Sequence, residues 1–201
     1  LDLLKTTGNG KAIIKSKNLE INFDEALFNQ KNSTVKANGN ITINQTDKIF
    51  SIKTQKVFYD RLNNLISSDT KTILKDNFKN TYVVDSFIFE INKNLIKVIN
   101  LKTKDKDNNV LNTEIAYINT QSGKLFGKDV NIDFAKSYFG EDNEPRLKAI
   151  SVNSNQNITE LSKGVFTTCK KRDGCPPWEM TAKKIKHDKN KKIINYENAF
   201  L

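Results

Sequence analysis

Three residues invite a chemical reading before anything else. His187, the only histidine, stands beside Asp188, and an imidazole held by a carboxylate is the basic half of a nucleophilic site. Cys169 and Cys175 are the only cysteines, separated by Lys170-Lys171-Arg172-Asp173-Gly174 and followed by Pro176-Pro177-Trp178. With His187 they offer three metal ligands, but at a spacing unlike zinc modules, so no metal and no cofactor are expected. In an oxidising compartment the Asp173-Gly174 turn could bring the two thiols together as a disulfide. Either could instead bridge to a cysteine elsewhere, or stay reduced. No G-x-S-x-G elbow and no phosphate-cradling glycine loop accompanies the histidine, so no enzyme is expected. Phe166, Trp178 and Tyr196 could form an aromatic binding site, or simply pack the end of a core.

The elements that must position these residues are strands. Leu19–Phe23, Ile41–Ile43, Phe87–Ile91 and Val130–Phe134 alternate apolar with polar residues, and Asn, Asp, Gly, Ser and Lys separate them. No amphipathic helix longer than about two turns is predicted. Leu1–Thr7 reads as a frayed end and Ala135–Gly140 as an irregular corner. A unit also repeats. Leu19-Glu20-Ile21-Asn22, Val57-Phe58-Tyr59-Asp60, Phe87-Ile88-Phe89-Glu90 and Ile185-Lys186-His187-Asp188 share an apolar residue, a spacer, a large residue and a carboxylate or amide. Six positions after the large residue come Leu27-Phe28, Leu65-Ile66, Leu95-Ile96 and Ile193-Ile194. Ala116-Tyr117-Ile118 to Leu125-Phe126 makes a fifth copy with a longer turn. Each copy reads as strand, four-residue turn, strand. His187 then occupies a structural position of the repeat, the one held by Ile21, Tyr59 and Phe89. Hairpins in series predict an all-β chain of stacked antiparallel hairpins with an unpaired edge strand at each end. A closed β-sandwich would show the same alternation.

The net charge of +10 raises a second class of function, a basic β-domain that binds nucleic acid or another polyanion on its surface. Arginine, the residue of bidentate phosphate recognition, occurs only at Arg61, Arg146 and Arg172, and the lysines are scattered. A solvated surface explains them, and no nucleic-acid partner is expected. No run of about 18 apolar residues exists, so no helix is expected to span a membrane. The apolar pattern reaches Leu1 and Leu201, and a longer polypeptide is expected around them.

The stretch Gly164–Cys169, then Cys175-Pro176-Pro177-Trp178-Glu179-Met180-Thr181-Ala182-Lys183-Lys184-Ile185-Lys186-His187-Asp188 and Ile193–Ala199, resembles the lipopolysaccharide-assembly outer-membrane protein (LptD, or organic-solvent-tolerance) family, at the join between its periplasmic domain and its barrel. Glu144–Lys148 resembles a segment there too. Ala37–Ile43 and the Tyr59-Asp60 unit resemble the periplasmic transport module shared with the bridge protein LptA. The resemblance implies an open β-jellyroll, with residues 1–165 as the jellyroll and 166–201 as a Cys-containing final hairpin leading toward an outer-membrane β-barrel. It implies a periplasmic domain of a Gram-negative outer-membrane protein that carries the acyl chains of lipopolysaccharide. Ile21, Phe23, Ile41, Ile43, Ile52 and Val57 would line the apolar interior on one stretch. Tyr59, Phe87, Phe89, Ile91, Ile132 and Phe134 would continue it. The N-terminal edge strand, with Ile13, Ile14 and Leu19, would pair with the bridge protein. The barrel of the same chain and a plug lipoprotein would be further partners. The family's periplasmic cysteine bonds to the barrel; Cys169 stands in the matching place, and Cys175 keeps a local pair open.

Overall fold

Alternation of apolar and polar residues is carried by fifteen strands in a computed structural model, which describes residues 3–14, 18–45, 50–76, 80–105, 108–135, 142–171, 176–191 and 193–201. They are β1 (Leu3–Ile14), β2 (Leu19–Asn29), β3 (Thr34–Gln45), β4 (Ser51–Asp60), β5 (Leu65–Ser68), β6 (Thr72–Lys75), β7 (Thr81–Val84), β8 (Ser86–Glu90) and β9 (Leu95–Lys104). After these come β10 (Val110–Asn119), β11 (Leu125–Asp133), β12 (Arg146–Ser154), β13 (Ile158–Thr167), β14 (Met180–Asp188) and β15 (Ile193–Phe200). All belong to one antiparallel sheet, the arrangement expected of a β-jellyroll built from hairpins. Its path is β1-β2-β3-β4-β5-β8-β9-β10-β11-β12-β13-β14-β15; β6 and β7 form a parallel route from β4 to β9. The chain divides into two compact units, residues 1–100 with 117–123, and residues 101–116 with 124–201. The division falls within β9 and β10.

In the first unit the repeat is real, and its period is about thirty residues. Ser33, Asn64, Asn94 and Gly123 all have positive φ and lie 31, 30 and 29 residues apart (33 to 64, 64 to 94, 94 to 123). Each closes a turn, and left-handed backbone there suits asparagine and glycine best. The first three also join successive turns: the Arg61, Ile91 and Thr120 amides donate to the carbonyls of Ser33 (3.1 Å), Asn64 (3.1 Å) and Asn94 (2.9 Å). This period corrects the first copy of the sequence repeat. β2 has no turn after Asn22; it runs on to Asn29, so the true counterpart of Val57–Asp60 is Ala26-Leu27-Phe28-Asn29. Leu3–Thr7 also belongs to β1, paired with Asn29 back to Glu25, and is no frayed end. Ile91 is buried but leaves the strand: it opens a 3-10 turn over Ile91–Lys93.

Most strands are longer than their alternation suggests because the buried side changes partway along. In β4 the buried residues are Ile52 and Thr54, then Val57; in β9 they are Ile96 and Val98, then Leu101. The spacing i, i+2, i+5 inserts one residue, so both halves can turn apolar side chains inward. Where this happens β1–β2, β2–β3 and β3–β4 shift register, and residues of positive φ (Gly8, Gly39, Asn40) stand inside the strands. Asn40 Nδ2 donates to Asp24 Oδ2 at 2.8 Å across one shift, and Asn100 Nδ2 to Asp85 Oδ2 at 2.9 Å sixty residues later. Between the halves of β4 and at the β5–β6 break, the Thr54, Ser68, Thr70 and Thr72 hydroxyls bond one another at 2.9–3.0 Å. Thus the buried hydroxyls are satisfied.

The second unit follows the same rule with smaller residues. Leu125, Gly127 and Val130 are buried along β11, and Leu147, Ala149 and Val152 along β12. Asp129 and Lys163 supply the positive φ inside β11 and β13. Gly164 faces Ile185, whose side chain occupies the space a Cβ would need; the Cγ1 would lie 3.3 Å away.

Candidate functional site

The fourth position of the repeat explains its carboxylate or amide, and with it the His187-Asp188 pair. Asn29, Asp60, Asn119 and Asp188 each end a strand and Asn155 directly follows one, and all five accept backbone N–H bonds from the turn that follows, whereas Glu90 pairs with Lys93 instead. The donors are Asn32 (3.2 Å), Asn63 (3.1 Å), Ser122 (2.8 Å), Ile158 (2.8 Å) and Lys191 (3.0 Å), in that order. These are Asx turns, which bend a chain by giving its amides a local acceptor. Asp188 therefore serves its own turn, and Asn190 adds a second amide at 3.1 Å. Asp60 also takes Asn63 Nδ2 at 2.7 Å, and that side-chain bond holds its carboxyl below the ordinary range. His187 lies half-buried on β14, paired with Thr159 and Ile194. Among the described residues no group of three His, Cys, Asp or Glu could hold a metal ion.

The third position forms the inward face. Through the strand registers, Phe28, Val35, Tyr59, Ile66, Phe89 and Ile96 make one row across β2, β3, β4, β5, β8 and β9. Its members change from half-buried at Phe28, Val35 and Tyr59 to sealed at Ile66, Phe89 and Ile96, at most 1% exposed. Burial raises the Tyr59 phenol above its ordinary pKa, the Arg61 charge opposing it. A second row, Ile21, Ile43, Ile52, Leu74 and Tyr82, crosses β2, β3, β4, β6 and β7 and is buried throughout. Tyr82 ends it with a polar handle: its hydroxyl donates to the buried Asp76 at 2.9 Å, and burial together with that carboxylate raises its pKa strongly.

The expected lining residues divide between these settings. Ile21, Ile41, Ile43, Ile52, Val57, Phe87, Phe89 and Ile91 are all buried, at 5% exposure or less, and fill the first unit's core. Phe23 and Tyr59 there, and Ile132 and Phe134 in the second unit, are only half-buried. The Phe23 ring lies over Gly10 of β1, where a Cβ would come within 2.7 Å of its Cζ. Phe28 and Val35 complete the row and escaped the sequence reading, which placed a turn before them. The thirty-residue spacing of the Asx turns was the signal that could have found them.

Among the described residues, sheet edges lie at β1 and β15. β1 pairs with β2 alone and carries Ile13, 58% exposed, and Ile14. Leu19 does not belong to that edge. It sits on β2 between Ile14 and Gln45 and is buried, because the turn before it reverses the chain. β15 pairs with β14 alone, and every one of its residues is exposed.

Around Cys169 three segments of the second unit interlock. Arg146 Nη1 donates to the carbonyls of Glu144 (3.1 Å) and Cys169. Thr167 Oγ1 donates to the Trp178 carbonyl at 2.8 Å, and the Glu144 amide to the Thr168 carbonyl at 2.9 Å. Phe134, Phe166 and Trp178 stack edge to face with ring centres 6.0 and 6.1 Å apart, and Trp178 stays 40% exposed. Cys175, with Arg172, Asp173 and Gly174, lies outside the described residues, as does most of the corner expected over Ala135–Gly140.

Two comparisons bear on this arrangement. The family model for the OstA-like protein matches residues 5–142, the stretch holding the copies of the hairpin repeat on β2, β4, β8 and β10. A search of curated proteins finds no match.

Proposed function

The chain belongs to the OstA-like protein family, a family of lipopolysaccharide and lipid transport, and on that premise we propose that it carries lipopolysaccharide as the periplasmic domain of an LptD-type outer-membrane protein. The observation that carries the reading is the inward row of the first unit. An acyl chain needs continuous apolar walls, each methylene gaining about 0.8 kcal/mol on leaving water. The row supplies such walls, sealed at Ile66, Phe89 and Ile96 and half-buried at Tyr59, Val35 and Phe28. Lipid would meet the half-buried residues, Tyr59 and Phe23 in the first unit and Ile132 and Phe134 in the second. The sealed ones would support them. The unpaired edge of β1, bearing Ile13 and Ile14, would add to a strand of an LptA-like bridge protein. Residues 166–201 would lead toward the barrel and its plug lipoprotein. Cys169 and Cys175 would form a disulfide there, with each other or with the barrel.

Photo-crosslinking tests the reading. A benzoylphenylalanine probe at Tyr59 or Phe134, in cells making lipopolysaccharide, is expected to capture glycolipid, while one at sealed Ile66 is not. No adduct from either half-buried site would reject interior carriage.

A further inference from the structure

The outward face of the same unit carries a pattern the interior does not require. Strand registers align Leu27, Lys36, Phe58, Ser67, Ile88 and Lys97 in a single row across β2, β3, β4, β5, β8 and β9. At about 4.8 Å per strand the row spans roughly 24 Å. Leu27, Phe58 and Ile88 occupy the second position of three successive repeats and remain 36%, 39% and 44% exposed. Lone exposed apolar residues are ordinary on protein surfaces. Three in one row, at one position of a repeat, are not explained that way. The fold does not demand exposed apolar residues there, since the same position holds half-buried Tyr117 in the next copy on β10 and Asn153 and Lys186 in those on β12 and β14.

Charge indicates what would cover the row. Its only described charges are Lys36 and Lys97. The neighbouring rows and turns add Lys31, Lys56 and Lys93 against Glu25, Asp60, Asp69 and Glu90, while Arg61 lies over the inward Phe28 ring instead. Asp60 is engaged locally by Asn63, and Glu90 and Lys93 offset each other at 2.5 Å, which leaves the two lysines of the row itself to meet an anionic partner. We propose that this outward stripe of apolar and lysine residues docks the domain on an anionic lipid surface. The apolar side chains would enter the headgroup region and the ammonium groups would meet phosphates. A row of side chains across the face of a sheet suits a lipid surface better than a peptide, which joins sheets at their edges.

Vesicle flotation of the full chain tests this independently of interior carriage, which the Tyr59 probe reads from the opposite face. The chain is expected to float with phosphatidylcholine vesicles containing phosphatidylglycerol, not with phosphatidylcholine alone, and binding should weaken as salt rises. Lys36→Gln with Lys97→Gln should weaken binding about thirtyfold, and Leu27→Ser, Phe58→Ser and Ile88→Ser together should abolish it. Lys128→Gln with Lys148→Gln, an equal charge change in the second unit, should leave it intact. The lysine pair lies on the outer face, so an unchanged Tm separates lost binding from lost folding. Failure to float with either vesicle, or equal loss from the control pair, overturns the proposal. Binding of the row to soluble polyglutamate without vesicle binding also overturns it, and assigns the stripe to an acidic protein.

Discussion

Replacing Gly39 by alanine separates the two things that glycine does inside β3. Its φ of +77° is a conformation that costs an L-residue about 1–2 kcal/mol. A Cβ there would also run into the Asp24 side chain, coming within 2.9 Å of its Cβ and closer still to its carboxylate. Displacing that carboxylate breaks the 2.8 Å bond from Asn40, worth about 0.5–1.5 kcal/mol. Gly39→Ala should therefore cost about 1.5–3.5 kcal/mol, read as a lower midpoint in urea with an unchanged slope. In an Asp24→Ala background no carboxylate is left to displace, and the cost should fall to the conformational part alone. Gly8→Ala supplies a control: φ is +80° and nothing lies within 4 Å of its Cβ, so only the conformational cost applies. Equal costs for Gly39→Ala with and without Asp24, or a total below about 0.5 kcal/mol, would refute the assignment of that glycine to the register shift.

Further outcomes follow from the core and the turns. Phe89→Ala, at a residue 1% exposed in the inward row, should cost about 3–5 kcal/mol in the same urea assay. Tyr82→Phe removes a donor from buried Asp76 and should cost about 1–3 kcal/mol, and absorbance titration should leave the native Tyr82 phenol protonated where exposed tyrosines ionise. The folded pKa of Asp60 is lowered by its Asn63 bonds and that of Glu20 by the Lys11 ammonium, 2.7 Å away. Their stabilising effect is complete above the ordinary carboxylate range near pH 4 and is lost as pH falls through the lower folded values. Asp60→Asn, which keeps an acceptor for the turn, should flatten that acid dependence while preserving Tm at neutral pH better than Asp60→Ala does.

The strands and turns were legible in the sequence to the extent that their signals are local. Alternation located half-strands such as Ile41–Ile43 and Val130–Phe134 because a period of two holds on each side of a parity change. It could not see across one. The residues after Phe23, where β2 shifts register, therefore look like a turn, which anchors the first repeat on Leu19 instead of Ala26. That error also drew Leu19 into the edge strand and hid Phe28 and Val35. The apolar residues at i, i+2 and i+5, as in Ile52, Thr54 and Val57, were a signal of the joined halves. The placement of His187 in the repeat was sound for a reason the sequence could only suggest, the turn amides that Asp188 accepts. Which lining residues stay half-buried, Tyr59 and Phe134 among them, depends on distant strands and leaves no local trace.

The join between successive turns sets how this domain can change length. One thirty-residue period adds an outgoing and a returning strand (in the second period each is broken, as β5 with β6 and β7 with β8) and leaves both edges as they were, so the first unit is measured in steps of about 10 Å. Each step keeps its αL residue, its carbonyl and the next amide, as Asn64 with Ile91 repeats Ser33 with Arg61. Excision of Arg61–Glu90 would bring Asp60 directly before Ile91 and restore the same junction one step shorter. Gain or loss of a whole hairpin thus alters reach without redesigning either end, whereas loss of half of one would turn every later strand around.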